Sequence, residues 1–174
     1  GCDNRCTYCA IPSIRGHFRS RPMDELVEEA KNLEKLGVKE LCVIAQDTTR
    51  YGSDLYGEYK LPELLDRITK ETTIPWIRIM YCYPDKITDE LIATIRDNPR
   101  VLKYIDLPIQ HISDDILRRM NRRGDGRLVR EVVKKLRDSI PGVIIRTTVI
   151  VGFPGETEEG FDELCGYVKG AKCD

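Results

Sequence analysis

Helical and strand-like stretches take turns along the whole chain, and that alternation limits the available folds more than any other feature. PMDELVEEAKNLEKLG puts Met23, Leu26, Val27, Ala30 and Leu33 on one helical face, with Pro22 near its start and Gly37 after its end. KELCVIAQ follows as an apolar strand, and LPELLDRITK as a helix turning Leu61, Leu64, Leu65 and Ile68 inward. IPWIRIMYCY is a strand rich in branched and aromatic residues. Thr88 is placed to cap a third helix carrying Leu91, Ile92 and Ile95, with Asp89 and Glu90 at its positive end. VLKYIDLPI is a strand, and Ser113 is placed to cap a helix that stops by Gly124. LVREVVKKLRDSI is a helix with Leu128, Val129, Val132, Val133 and Leu136 inside. VIIRTTVIVG is a fourth strand, and Thr157 caps the last helix.

Strands separated by helices predict an α/β fold, with a parallel sheet and helices packed outside it. A complete eight-fold barrel needs about 250 residues, and this chain has 174. The expectation is therefore a partial (β/α) barrel or an open sheet. A doubly wound fold competes, but no G-x-G-x-x-G or G-x-x-x-x-G-K phosphate loop occurs.

Such folds bind ligands beyond the carboxyl ends of their strands. The first strand runs into Gln46, Asp47 and Thr48, the third into Pro108, Ile109, Gln110 and His111, and the fourth into Gly152, Phe153, Pro154, Gly155 and Glu156. The opening segment GCDNRCTYC precedes the first long helix, so it belongs to the same rim. Arg78 and Arg146 alternate with apolar strand residues and are expected to be buried. Each then either pairs with a carboxylate inside the fold or faces an anionic ligand, and the sequence leaves both open.

The rim carries Cys2, Cys6 and Cys9, spaced C-x3-C-x2-C. A disulfide uses two thiols, and a closed zinc site usually needs four ligands. Three thiolates on a four-iron four-sulfur cube leave one iron open to an exogenous molecule. Zinc with His17 as fourth ligand, and three incidental thiols, stand as alternatives. Cys42 and Cys82 lie in apolar runs and are expected in the core. Cys165 and Cys173 receive no role. The seven cysteines suit a reducing cytoplasm, and the polar first residues do not read as a secretory leader. A net charge of -1 calls for no nucleic-acid or membrane partner, and no apolar run approaches the ~20 residues of a membrane span.

CDNRCTYC resembles the cluster loop of the radical S-adenosylmethionine (SAM) enzymes, C-x3-C-x-aromatic-C, with Tyr8 at the aromatic position. RGHFRSRP, IAQDTTRYG, RIMYCYPDKITDELI, DLPIQHISDDILRRMNRRG and RTTVIVGFPGET resemble one subgroup, the methylthiotransferases, in family order over nearly the whole chain. AQDTTRYG, MYCYPDKIT and PIQHISD resemble the RimO type, which modifies an aspartate of a small-subunit ribosomal protein. Relatives that modify tRNA tend to show Gln-Asn where Gln46 and Asp47 stand, and Ser-Gly where His111 and Ile112 stand.

The resemblance implies reductive cleavage of SAM to a deoxyadenosyl radical, hydrogen abstraction, sulfur insertion, and methylation by a second SAM. It implies one four-iron four-sulfur cluster on Cys2, Cys6 and Cys9. Tyr8 would pack near the adenosine, Gln46 and Asp47 would meet the methionyl amine, and Gln110 and Arg146 the ribose or carboxylate. Gly152, Phe153 and Glu156 would line the adenine. Gln110 and Glu156 also read as ordinary loop and cap residues, and His17 and His111 as hydrogen-bonded loop histidines. The implied substrate is a ribosomal protein or the ribosome, served by an external electron donor. A tRNA adenosine methylthiotransferase and an electron-transfer module are the alternatives. Arg15, Arg19 and Arg21, with Arg118, Arg119, Arg122, Arg123, Arg127 and Arg130, read either as a solvated face or as a docking patch for RNA or protein. Residues 1–174 are expected to be a radical SAM core. The second-cluster domain, with its second cluster, and the substrate-binding domain are expected only in a full-length protein.

Overall fold

The structure is a computed structural model that describes residues 1–173. Four parallel strands, β1 (Glu40–Val43), β2 (Trp76–Ile79), β3 (Val101–Asp106) and β4 (Ile144–Arg146), form one open sheet in the order β1-β2-β3-β4. Each strand lies beside its predecessor, as along the arc of a barrel. A doubly wound sheet reverses its order at a switch point, and this one does not.

Among the described residues seven α-helices accompany the sheet: α1 (Ile11–Arg15), α2 (Met23–Lys35), α3 (Leu61–Glu71), α4 (Asp89–Asp97), α5 (Asp114–Arg119), α6 (Gly126–Ser139) and α7 (Glu158–Ala171). The apolar faces read from the sequence are the ones buried. Val27, Ala30, Leu64, Leu65, Ile68, Leu91, Ile95, Val133 and Leu136 join Ile77, Ile79, Ile105 and Ile145 in one core. Each such aliphatic side chain contributes about 1.5–3 kcal/mol by leaving water.

The opposite face of the sheet is uncovered, and Ile44, Trp76 and Ile144 are 67%, 54% and 47% exposed there. This one-sidedness corrects two expectations. Cys42 is exposed rather than in the core, because strand alternation turns it to the open face, opposite Arg78 in the register. Arg78 and Arg146 lie on that face and are not buried. They pair with Glu40 and Asp106, and the Arg78 guanidinium also covers the Tyr104 ring at 4.5 Å. Cys82 is buried, as expected.

Thr88 and Thr157 accept from the Leu91 and Gly160 amides, both at 3.2 Å, as cap residues should. Ser113 stands at the α5 cap without a side-chain bond. Helix α6 starts earlier than its apolar pattern, because Asp125 caps it by accepting from the Leu128 amide at 2.7 Å. Gly126 is obligatory there, since a Cβ would stand 2.1 Å from the Ile112 carbonyl oxygen. No helix among the described residues is long and apolar enough to cross a membrane.

Candidate functional site

The cysteine loop is tied down at both ends. Thr7 donates from its amide to the Met120 carbonyl (3.1 Å) and from its hydroxyl to the Arg119 carbonyl (3.0 Å), and Asn121 Nδ2 donates to the Arg5 carbonyl (2.9 Å). These bonds dock the loop on the end of α5. On the other side the Cys2 amide donates to the Gly16 carbonyl (3.2 Å), and Asp3 bonds His17 Nδ1 (2.8 Å) and the Phe18 amide (3.3 Å). Buried Asn4 donates through Nδ2 to Asp47 Oδ2 at 2.9 Å, linking the loop to the end of β1.

Cys2, Cys6 and Cys9 are half-buried and line one cavity of about 300 Å³. Every strand contributes to its walls: Gln46 after β1, Tyr81, Cys82 and Tyr83 after β2, Asp106, Pro108 and Gln110 at the end of β3, and Arg146 and Thr148 at β4. Asn4, Tyr8, Ile11 and Arg122 complete them. The thiols also border a second space on the outer side of the loop, with Asp3, Arg5, Pro12 and His17.

Two cavity residues leave the strands in the left-handed region. Tyr81 has φ +59° and Gln110 φ +70°. Asp106, fully buried, accepts from the Tyr81 amide at Oδ2 (2.9 Å) and from Arg146 Nη1 at Oδ1 (2.6 Å). Gln110 is held by its amide on Thr148 O (2.9 Å) and by the Ile150 amide on its own carbonyl (2.8 Å). Arg146 leaves about half of its side chain exposed, so its guanidinium can also face a ligand.

The cavity thus gathers Cys2, Cys6, Cys9, Tyr8, Gln46, Gln110 and Arg146. The remaining expected residues stand around it. Asp47 is buried between Asn4 Nδ2 and the Thr49 hydroxyl (2.6 Å), and burial pushes its carboxyl up. Phe153 reaches the cavity through Tyr8, edge to face at 6.4 Å. Gly152 donates its amide to Glu156, whose other oxygen bonds His111 Nε2 at 2.9 Å. His111 Nδ1 accepts from the Ser113 amide (3.0 Å), which leaves the ring proton on Nε2, facing Glu156. Burial pushes the Glu156 carboxyl up, but the bonds from His111 and Gly152 outweigh it and hold the group below its ordinary value.

Sequence reading missed Asn4, Tyr81, Tyr83, Asp106 and Arg122. IPWIRIMYCY reads as strand to its end, although Tyr81 and Tyr83 already belong to the rim. Asp106 carried a usable signal, an acid within the apolar run YIDL. Arg122 was counted with the surface arginines but turns inward, donating to the Pro108 carbonyl at 2.6 Å. Among the other arginines, Arg21 pairs with Glu25 and Glu29, Arg118 and Arg119 with Asp115, Arg127 with Glu131, and Arg130 with Glu163.

The donor set fits an iron–sulfur cluster better than a zinc ion. Among the described residues no group of three or more His, Cys, Asp or Glu is arranged around a single ion. His17 faces Asp3 with its side chain 84% exposed. Burial pushes the Cys82 thiol far up. Three sulfurs around a cavity that also offers polar strand ends suit a cube with one open iron. Burial pushes the Cys2 thiol up against the pull of the Asn4 amide 3.5 Å away, so binding metal there must displace a proton. Burial also pushes the Tyr8 phenol up to about 12 and the Tyr83 phenol up further, so both are hydroxyl donors at neutral pH.

Comparison with known proteins gives three findings. The family model described as the Radical SAM superfamily matches residues 1–168. The chain is 58% identical over 174 residues to a protein of Alkaliphilus oremlandii named ribosomal protein uS12 methylthiotransferase RimO, covering all of this chain and 40% of that protein. A protein of the same name from Desulforamulus reducens is 55% identical over 174 residues, again over all of this chain and 39% of that protein. The chain therefore spans about two fifths of the length of these relatives. A solved structure of TsrM from Kitasatospora setae, a radical SAM methyltransferase with tryptophan and the SAM analogue aza-SAM bound, superposes with a TM-score of 0.78 at 16% identity, over 99% of this chain and 33% of that one. At that identity the likeness is one of fold.

Proposed function

The chain belongs to the radical SAM superfamily, and from that premise we propose that it is the cluster- and SAM-binding core of an enzyme that methylthiolates an aspartate of a small-subunit ribosomal protein. The family implies an iron–sulfur cluster and SAM. In this reading Cys2, Cys6 and Cys9 hold one four-iron four-sulfur cluster, which when bound supplies the electron for reductive cleavage of SAM.

The chain's own residues bind and orient. Gln46, Gln110 and the free side of Arg146 offer polar contacts to the methionyl and ribose groups, and Tyr8, backed by Phe153, gives the adenosine a flat wall. Asp47 acts through Asn4, fixing the cysteine loop. Glu156 fixes the Gly152 turn and His111. The observation that carries the reading is the meeting of three thiols with the carboxyl ends of all four strands in one cavity. The ribosomal substrate is preferred to tRNA on the names of the relatives at 55–58% identity. Such an enzyme works in the cytoplasm and draws its electron from an external donor.

Anaerobic reconstitution with iron and sulfide, followed by SAM titration under electron paramagnetic resonance, tests the core. A SAM-dependent change in the cluster signal is expected, and a colourless protein or an unchanged signal refutes it. Mass analysis of ribosomal protein and tRNA from a strain lacking the whole protein decides the substrate. Loss of the tRNA modification, with the ribosomal protein unaffected, overturns the choice.

A further inference from the structure

The cavity wall holds a pair of residues that the reading above does not use. The Tyr83 hydroxyl lies 3.3 Å from Cys6 Sγ, and the Arg122 guanidinium carbon stands 4.0 Å above the Tyr83 ring. We propose that Tyr83 donates a hydrogen bond to the Cys6 sulfur when that thiolate carries iron, that Arg122 holds the donor in place, and that together they ease one-electron reduction of the centre. The proposal rests on Cys2, Cys6 and Cys9 being the cluster ligands.

The direction of the bond follows from chemistry. A metal-bound thiolate has no proton to give, so the phenol is the donor. Both groups are fixed by bonds elsewhere. The Tyr83 amide donates to the Thr49 hydroxyl at 3.2 Å, the residue is 7% exposed, and Pro84 follows at the start of a short 3-10 turn. Arg122 donates to the Pro108 carbonyl, so its charge cannot swing into solvent without breaking a 2.6 Å bond. A cation over a phenol ring is itself favourable, and more so when water is excluded.

Three thiolates around the cube leave it negative, and an added electron makes it more so. A donor at the sulfur and a nearby guanidinium both favour the more negative state, which raises the reduction potential. The electron comes from the external one-electron donor, and the proton stays on the Tyr83 oxygen, so no bond is broken on the protein. The Tyr8 phenol is a second neighbour of Cys6 and Arg122, which makes Tyr8→Phe the natural comparison.

The test is a redox titration of the reconstituted chain, read by electron paramagnetic resonance, with iron and sulfide content measured alongside. Tyr83→Phe should lower the reduced-to-oxidised ratio at a given solution potential about tenfold, a shift of about 59 mV for a one-electron couple. Arg122→Gln should move it the same way, and Arg122→Lys should restore part of the change. A fully loaded Tyr83→Phe with the parent's potential overturns the proposal, most plainly if Tyr8→Phe alone moves it. If Tyr83→Phe takes up no cluster, Arg122→Gln decides, because it keeps the hydroxyl, and an unchanged potential there overturns the proposal. Failure of the underlying reading shows separately, as a parent chain that takes up no cluster, and the proposal falls with it.

Discussion

Asp106 holds Tyr81 in a strained backbone conformation, and replacing it should separate that duty from its ion pair with Arg146. The carboxylate is fully buried, with Oδ2 on the Tyr81 amide and Oδ1 on Arg146. Asp106→Ala removes the acceptor of a part-buried amide, a loss of about 1–3 kcal/mol. The strain of Tyr81 at φ +59°, about 1–2 kcal/mol in a residue with a side chain, is already present in the parent and adds nothing to the loss. The ion pair adds little, because Arg146 is about half exposed and such pairs are worth about 0–1 kcal/mol. The expected loss is about 1–4 kcal/mol for Asp106→Ala. Asp106→Asn keeps an acceptor for the amide, and about 1 kcal/mol should be lost. Urea unfolding followed by far-ultraviolet circular dichroism measures both. In the Asp106→Ala background, Tyr81→Gly should recover about 1 kcal/mol, since glycine adopts this φ without penalty. If Asp106→Asn costs as much as Asp106→Ala, the ion pair and not the amide tether carries the energy, and this account of the Tyr81 turn is wrong.

Three further outcomes follow from the same geometry. Burial raises the Asp47 carboxyl, so the unfolded chain holds fewer protons on it, and stability falls as pH rises from the unfolded value near 3.8 through the folded one. Asp47→Asn keeps partners for Asn4 and Thr49, and thermal melts should show a flatter pH dependence in that window, with neutral-pH stability equal or higher by up to about 1 kcal/mol. Glu156 has the opposite sign: its carboxyl is lowered, so its contribution is present above the unfolded value of 4.5 and lost as pH falls through the folded one. Glu156→Gln should cost about 1–2 kcal/mol at neutral pH and flatten the acid limb in a circular dichroism titration. Gly126→Ala should cost more than about 2 kcal/mol in thermal unfolding, because its Cβ would meet the Ile112 carbonyl oxygen.

Periodicity made the helices and strand order legible, because one face of each helix and one face of the sheet share a single core. Leu64, Leu65 and Ile68 on α3 and Ile77 and Ile79 on β2 were assigned by spacing alone, and each is buried. The same reasoning failed on the other sheet face. Cys42 and Arg78 sit among apolar neighbours in sequence, and nothing local says that helices cover only one side. Strand ends were overrun for a related reason. IPWIRIMYCY is apolar throughout, yet the ladder stops at Ile79 and the chain turns at Tyr81. The thiols and the polar residues just past the strands were legible from motif and topology. Asn4 and Asp47 were not legible as a pair, because a bond between residues 43 positions apart leaves no periodic trace.

The backbone marks this site independently of any motif. Five residues other than glycine have positive φ among the described residues: Arg5, Tyr81, Gln110, Asn121 and Lys172. The first four all belong to the cysteine loop, its clamp or the cavity wall. Such a conformation costs about 1–2 kcal/mol per residue, and random placement over the chain would not concentrate it there. Each of these four is held by a bond that serves the site. Asp106 holds Tyr81, the β4 extension holds Gln110, and Asn121 and Arg5 hold each other. Strain tolerated only where surrounding bonds over-determine it is the signature of a pre-organised site.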